Sequence, residues 1–126
     1  EHFDWVQSID RLKIAQRLDA QRPDGRAPLQ VCIQANTDGG PTKAGIAPQE
    51  VAALAAEIRR LPRLRLRGLM TIPEPAPDFA AACALHARAR ALFDAALDMP
   101  EPLRVAIEDL RRTRSHEGRR GRVPVP

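Results

Sequence analysis

The sequence predicts an α/β fold built from about three strand–helix units around a parallel sheet. Three short segments with strand-like content are each followed by a segment whose apolar residues recur at helical spacing. The units repeat about every 30 to 40 residues, and such alternation is typical of parallel sheets with right-handed crossovers. We therefore expect three parallel strands, adjacent in chain order, with functional groups gathered at their carboxyl ends.

The first unit starts at residues 4–9, "DWVQSI", which have short strand-like content. In the "DRLKIAQRL" that follows, Leu12, Ala15 and Leu18 recur at helical spacing. Asp10 precedes this stripe, and a carboxylate there can accept hydrogen bonds from the free N–H groups of a first helical turn. The segment predicts a helix capped by Asp10.

The second unit begins with the strand-like "LQVCIQAN", residues 29–36. Val31 and Ile33 alternate with the more polar Gln30, Cys32 and Gln34, which predicts two faces of different polarity. A helix follows, with a proline in its first turn, where a missing N–H costs nothing. Its apolar stripe consists of Val51, Leu54, Ile58 and Leu61.

The third unit contains "RLRLRGLMTIP", residues 63–73. Simple alternation predicts one strand face made of Leu64, Leu66, Gly68 and Met70. Asp78 is expected to cap a long helix after the proline-rich connector "PEPAP". The apolar stripe of that helix consists of Phe79, Ala82, Leu85, Ala89, Leu92 and Ala96.

The remaining residues, 98–126, predict a divergent tail rich in proline and arginine. Residues 111–126 carry six arginines against Glu117, so the net charge of +4 comes from this end of the chain. The tail has no aromatic residue to stack on a base, which disfavours a nucleic-acid interface. We expect a short helix over Leu103–Leu110 and disorder beyond about residue 112.

Composition indicates a single globular domain. The chain has 126 residues, of which 44% are hydrophobic and 29% charged. No apolar run is long enough for a membrane span, and a cytoplasmic location is expected. Cys32 and Cys83 have neither CxxC spacing nor histidines at ligand spacing, so we expect buried free thiols and no metal site. The chain begins with Glu1 rather than methionine, so the start of the gene product is expected to be missing.

The loop "QANTDGGPTKAG", residues 34–45, is the best candidate for a functional site. Its glycines and lysine do not have the spacing of a Walker phosphate loop or of a Rossmann dinucleotide loop. From the residues alone, the loop is either a strand-to-helix turn or a ligand site at a strand end.

A resemblance to a known family covers residues 1–97. The phrases "LPRLRLRGLM.IP" and "N......K.G" resemble the middle of the pyridoxal-phosphate homeostasis protein family, the YggS type. That resemblance implies the barrel fold of the alanine racemase N-terminal domain, binding of pyridoxal 5′-phosphate (PLP) and no established turnover. The present units would be the fourth to sixth of eight in a partial TIM-like barrel.

The resemblance also assigns candidate cofactor-binding residues. Asn36, Lys43 and Met70 match positions near the cofactor face. The lysine that forms the Schiff base in the family belongs to an A-V-S-K motif at the first strand, and the phosphate-binding segments belong to the last two strands; no such motifs occur here. We therefore expect an incomplete, non-enzymatic member that binds PLP weakly as an isolated chain and self-associates through open sheet edges.

Two alternatives remain open from the sequence. The chain could be a fragment of a PLP-dependent amino-acid racemase, which shares the barrel but requires a Schiff-base lysine and a second catalytic base. It could also be an interaction module that acts through its basic tail. Trapping of PLP at a defined lysine would separate the PLP-binding interpretations from the interaction module.

Overall fold

A computed structural model describes residues 2–40 and 44–97 of the chain. Strands and helices alternate, which confirms the predicted α/β class. The elements are β1 (Trp5–Ile9), α1 (Leu12–Gln21), β2 (Leu29–Gln34), a short 3-10 helix (Pro48–Glu50), α2 (Val51–Arg59), β3 (Leu64–Met70) and α3 (Phe79–Ala96). Pro48 opens the 3-10 turn that leads into α2, as its lack of an N–H predicts.

The three strands form one parallel sheet in the order β1-β2-β3. Trp5 pairs with Gln30, and Leu29 pairs with Leu64, so the amino ends of the strands are aligned. The predicted adjacency of the strands in chain order is confirmed. The open sheet is consistent with three neighbouring strands of a barrel.

The core lies where α1 and α2 cover the sheet. Alternate residues of β2 are buried on this side, and Val31 and Ile33 are fully inaccessible to solvent. The predicted stripe of α2 is buried at Val51, Leu54 and Ile58. The core cluster contains Ile9, Ala15, Leu29, Val31, Ile33, Ala35, Val51, Leu54, Ala55, Ile58, Leu64 and Leu97. Removal of this apolar surface from water is the main stabilising contribution to the fold.

Both outer strands shift register against β2. Val31 pairs with Leu66, but Cys32 already pairs with Gly68, so β3 contains one extra residue between the two pairs. Paired residues of neighbouring strands share a face. Leu66 therefore lies on the face of Val31. Gly68 also faces the core side, because a Cβ there would lie 3.5 Å from the ring of Phe93 on α3, which packs against the core cluster.

The prediction of one continuous face on β3 was therefore wrong at its last residue, Met70. Met70 pairs with Gln34 and shares its face, whereas Leu64 pairs with Leu29 on the core side. The extra residue is the physical reason, because a bulge of one residue interrupts the alternation of sides along a strand. Gln34 was expected on a polar face, yet it is only 9% exposed.

The two predicted helix caps have different outcomes. The Asp78 carboxylate accepts a hydrogen bond from the backbone N–H of Ala81 at 2.8 Å, which confirms it as the cap of α3. The prediction for Asp10 was wrong, because Arg11 occupies the cap position of α1 and no side chain caps that helix. The Asp10 carboxylate instead pairs with the Arg11 guanidinium at 3.0 Å.

Arginine side chains fix the amino end of the sheet, the region just before β1, β2 and β3. The buried Arg22 guanidinium donates to the carbonyl of Phe3 at 2.8 Å and twice to the carbonyl of Ala27, at 2.8 and 3.0 Å. Arg63 donates to the carbonyls of Asp19 and Ala20 in the last turn of α1. These bonds satisfy carbonyls that the helix and the strand starts leave free.

Several expectations concern residues outside the described ranges. These are the tail beyond residue 97, the helix over Leu103–Leu110 and the disorder beyond residue 112.

The thiols of Cys32 and Cys83 are free, but Cys83 is exposed, so its predicted burial was wrong. Within the described ranges, none of the helices is both long and apolar enough to cross a membrane.

A candidate site at the carboxyl end of the sheet

At the carboxyl end of the sheet, where β1, β2 and β3 lead into their loops, the described residues of the glycine loop, 34–40 and 44–45, are hydrogen-bonded to the strand ends. The loop returns to its own strand, because Ile46 N–H donates to the Gln34 carbonyl at 3.0 Å and Asn36 N–H donates to the Ile46 carbonyl at 2.9 Å. On the other side, Ala35 N–H donates to the Met70 carbonyl at 3.0 Å. The end of β2 is thus hydrogen-bonded to the returning loop and to β3.

Gly45 permits this close return. Its φ of +114° lies in a region that favours glycine. A Cβ at this position would lie 2.9 Å from the Ala35 carbonyl carbon and 2.9 Å from the Asn36 nitrogen. Both are backbone atoms of the adjacent strand, so they cannot move aside as a flexible side chain could. The loop therefore requires glycine at residue 45 for both its conformation and its packing.

Asn36 holds the turn with both ends of its side-chain amide. Its Oδ1 accepts from Gly39 N–H at 3.0 Å, and its Nδ2 donates to the Gly40 carbonyl at 2.9 Å. Asparagine commonly stabilises turns in this way. The amide is thus engaged within the loop, and its position at a strand end is set by these bonds.

Asp38 connects the glycine loop to the loop after β3. Its Oδ2 accepts from the backbone N–H of Glu74 at 2.6 Å, and its Oδ1 accepts from Gly40 N–H at 3.5 Å. The bond to Glu74 spans 36 residues of sequence. It joins, through a side chain, the loops that leave two adjacent strands.

Asp10 connects the end of β1 to the same loop. The hydrogen bond from the Arg11 side chain, the positive charge of Arg11 and the backbone N–H of Gly45 lower the pKa of Asp10, against an opposing effect of burial. The carboxylate is therefore stabilised in its charged form. Its contact with Gly45 places an anion beside the returning arm of the loop.

Met70 and Cys32 lie on the sheet face opposite the core cluster. Met70 is half-buried at the last position of β3, and its register partner Gln34 is at the end of β2. Cys32 is half-buried on the same face, and burial raises the pKa of its thiol. A thiol of raised pKa is a poor nucleophile at neutral pH. This face offers contact surface rather than an activated side chain.

The structure brings two of the three predicted site residues to neighbouring strand ends. Asn36 follows β2, Met70 ends β3, and the strands are paired up to these positions. Lys43 lies outside the described residues. Whether any of the three contacts a cofactor stays a prediction.

Sequence reasoning missed three residues that shape this end of the sheet. Asp10 was interpreted as a helix cap, while Asp38 and Gly45 received no individual role. For Gly45, a signal was available, because a glycine just before the return of a loop often marks a close backbone approach. The contact of Asp38 with Glu74 depends on the position of β3, which local sequence patterns do not define.

Comparisons with known proteins agree with this architecture. The profile of the family described as "Alanine racemase, N-terminal domain" matches residues 1–108. A pyridoxal phosphate homeostasis protein of Pseudomonas aeruginosa is 58% identical over 93 residues, which are 74% of this chain and 40% of that protein. The protein of the same name from Vibrio cholerae is 60% identical over 81 residues, which are 64% of this chain and 34% of that protein.

Solved structures give the same result. The structure of PipY from Synechococcus elongatus with PLP bound superposes with a TM-score of 0.66 at 30% identity, covering 77% of this chain and 44% of PipY. PipY without PLP gives a TM-score of 0.63 at 36% identity, covering 72% of this chain and 42% of PipY. This chain thus spans about two fifths or less of the length of the curated relatives cited here.

These matches confirm the resemblance inferred from the strand and loop phrases. The family profile covers all the strands and helices described above. The chain belongs to the family of the alanine racemase N-terminal domain, and its curated relatives are pyridoxal phosphate homeostasis proteins.

Proposed function

We propose that this chain is the central part of a PLP-binding barrel that serves PLP homeostasis and does not catalyse turnover. The observation that carries the proposal is the fold match to PipY with PLP bound, at a TM-score of 0.66. The identity of 58% to the homeostasis protein of Pseudomonas aeruginosa supports the same role. A cytoplasmic location fits this role and is part of the proposal.

The proposed cofactor face is the carboxyl end of the sheet. Ligands of parallel α/β folds bind at the carboxyl ends of the strands. Here Met70 offers an apolar surface, and the loop that Asn36 fixes has glycines that let a ligand approach the backbone. We assign Asn36, Met70 and Lys43 to this face, Asn36 as the residue that holds the loop and Met70 as an apolar contact.

Covalent capture of PLP is not expected from the described part of the chain. The sequence contains two lysines, and the described one, Lys13, is exposed on α1. An amine that attacks the PLP aldehyde must be unprotonated and held beside the reacting carbon. An exposed helix lysine meets neither requirement. The chain on its own should therefore hold PLP weakly and without a defined imine.

Self-association is a further part of the proposal. In the described sheet, β1 and β3 each have one strand neighbour, which is β2. Backbone groups on the outer side of such strands can pair with another chain. Analytical ultracentrifugation of the purified chain should show a concentration-dependent oligomer, and a monomer at all concentrations would contradict this part.

A PLP titration followed by NMR tests the proposed face. We expect gradual shifts of the amide signals of Asn36, Gly39 and Met70, because a weak ligand exchanges quickly between free and bound states. The amides of Arg22 and Arg63, at the opposite end of the sheet, provide the internal control and should not move. Equal shifts at both ends, or none at the carboxyl end at millimolar PLP, would contradict the proposal.

Reduction with borohydride tests the absence of a defined imine. Peptide mapping should find scattered, substoichiometric labelling of Lys13 and Lys43 in the wild-type chain. Lys13→Ala and Lys43→Ala form a matched pair, and each should lose only its own share of the label. A stoichiometric adduct at Lys43 that survives in Lys13→Ala would show that this chain captures PLP covalently.

A further inference from the structure

We infer that Asp38 is a positioning residue that couples the glycine loop to the loop after β3, so that the two loops respond to a ligand as one unit. The inference rests on the proposed function, because these loops form the proposed cofactor face. Nothing in the family resemblance assigned a role to Asp38. Two hydrogen bonds of the Asp38 carboxylate, to Glu74 and to Gly40, support the inference.

The carboxylate of Asp38 divides its two oxygens between the two loops. Oδ2 accepts from Glu74 N–H at 2.6 Å, and Oδ1 accepts from Gly40 N–H at 3.5 Å. The bond to Glu74 is the stronger of the two, because 3.5 Å is at the limit of hydrogen-bonding distance. Asp38 is thus suited to hold two backbone segments that are distant in sequence.

The partner in the loop after β3 is a backbone donor that its neighbours cannot replace. Glu74 lies between Pro73 and Pro75, and proline has no N–H. Within residues 73–75, the Glu74 N–H is therefore the only backbone donor. A carboxylate that binds this stretch through its backbone must use that group.

The same prolines transmit the constraint along the loop. Each proline restricts its own φ and the conformation of the residue before it. Fixing Glu74 therefore orients the connector from the end of β3 towards Asp78, which caps α3. On the other side, Asn36 fixes Gly39 and Gly40, so Asp38 projects from a loop that is itself held at β2.

Amide hydrogen exchange measured by NMR on the full chain tests the link without any ligand. Asp38→Ala should accelerate exchange of the Glu74 amide about tenfold, the effect of losing roughly 1.4 kcal/mol of local protection. Asp38→Asn keeps one carbonyl oxygen as acceptor and should restore most of the Glu74 protection. This rescue would not occur if the substitution acted only by loosening the fold.

Asp78→Ala is the matched control, because Asp78 also accepts a backbone N–H, that of Ala81 at 2.8 Å. It should accelerate exchange at Ala81 and leave Glu74 unchanged. The Leu29 amide, which donates to the Arg63 carbonyl at the far end of the sheet, reports global opening in every variant. Unchanged exchange at Glu74 in Asp38→Ala, or equal acceleration at Leu29, would overturn the inference.

A PLP titration of the same variants tests the coupling. In the wild-type chain, PLP should shift the amides of both Gly39 and Glu74. In Asp38→Ala, the shift at Gly39 should persist while that at Glu74 disappears, and a Glu74 shift that persists would overturn the coupling. If PLP shifts neither amide in the wild-type chain, the proposed function fails and so does the coupling of a PLP response, while the exchange data still decide whether Asp38 links the loops.

Discussion

The two ends of the sheet differ in the kind of side chain that predominates in their hydrogen bonds. At the amino end, Arg22 and Arg63 donate to backbone carbonyls. At the carboxyl end, Asp10, Asn36 and Asp38 accept from backbone N–H groups. Arginine donors thus predominate at the amino end, where the Asp19 carboxylate also accepts from the Arg63 backbone N–H at 2.8 Å. Acceptors predominate at the carboxyl end, where the Asn36 amide also donates to the Gly40 carbonyl.

The direction of the helices explains this difference. A helix that returns from the carboxyl end of one strand to the amino end of the next leaves its last carbonyls free at the amino end. Its first N–H groups, and those of the loop before it, remain free at the carboxyl end. Donor side chains therefore stabilise one end, while the other keeps a surplus of backbone donors that can be offered to an anionic ligand. The arginine-held end and the proposed binding face therefore lie at opposite ends of the same strands.

Removal of Arg22 should have the largest effect on stability. Arg22→Ala leaves the carbonyls of Phe3 and Ala27 without the buried guanidinium that serves both. We expect a loss of about 3 kcal/mol in the free energy of unfolding, measured by urea denaturation. Arg17→Ala on the exposed side of α1 is the control and should change stability by less than about 0.5 kcal/mol. If both variants lost the same free energy of unfolding, the hydrogen bonds of the buried Arg22 would not stabilise the amino end of the sheet.

Substitution of Gly45 should have the next largest effect, at the carboxyl end. Gly45→Ala introduces a Cβ only 2.9 Å from two backbone atoms of the adjacent strand end, in addition to an unfavourable φ. We expect a loss of about 2 kcal/mol. Gly25→Ala is the control, because its φ of +83° is also positive but nothing lies within 4 Å of the added carbon.

The difference between the two glycine variants isolates the close contact from the backbone strain. Gly25→Ala should cost about 1 kcal/mol, the price of the left-handed conformation alone. Thermal unfolding of both variants under identical conditions gives the comparison. If Gly45→Ala cost no more than Gly25→Ala, the tight return of the glycine loop would not contribute to stability.

The smallest expected effect is a pH dependence from Asp10. Its pKa in the folded chain is lowered from an ordinary value of 3.8, first by the hydrogen bond from Arg11. A lowered folded pKa contributes stability that is present above the unfolded pKa and is lost as the pH falls through the folded pKa. We expect a contribution below about 1 kcal/mol, because Arg11 is largely exposed.

Asp10→Asn tests this sign. Denaturation of the wild-type chain and of the variant should show a difference that is constant near neutral pH and shrinks below about pH 3.8. Asp24→Asn is the matched control. It also removes a carboxylate paired with an arginine, but Asp24 is highly exposed and lies at the amino end, where it pairs with Arg63. A difference that grows as the pH falls would contradict the assigned direction.

Much of the fold follows from local patterns in the sequence. The stripe of Val51, Leu54 and Ile58 identified α2, and the spacing of polar and apolar residues identified β2. The cap at Asp78 depends only on its own helix and was predicted correctly. These features are determined by neighbours within a few positions, which is the range over which a sequence can be interpreted directly.

The candidate site was harder to predict from the sequence, because its contacts join separate strand–helix units. Asp38 meets Glu74 only after β2 and β3 have paired, and Asp10 meets Gly45 only after β1 and β2 have paired. Met70 was predicted on the face of Leu64 and Leu66. It lies instead on the face of Gln34, because the bulge in β3 interrupts the alternation. Resemblance to the family suggested the cofactor face, which stays a prediction, whereas the links between the loops required three-dimensional packing.

The extra residues in β1 and β3 have a consequence for how the gene can change. Ile9 comes three residues after Val6 on β1, whereas their partners on β2, Val31 and Ile33, are two residues apart. On β3, one extra residue likewise lies between Leu66 and Gly68. Loss of a single codon after Gly68 would place Met70 opposite Ile33 rather than Gln34, on the core side of the sheet. Length variation should therefore be tolerated in the surface turn at residues 23–26 but selected against inside these strands, even where individual substitutions are harmless.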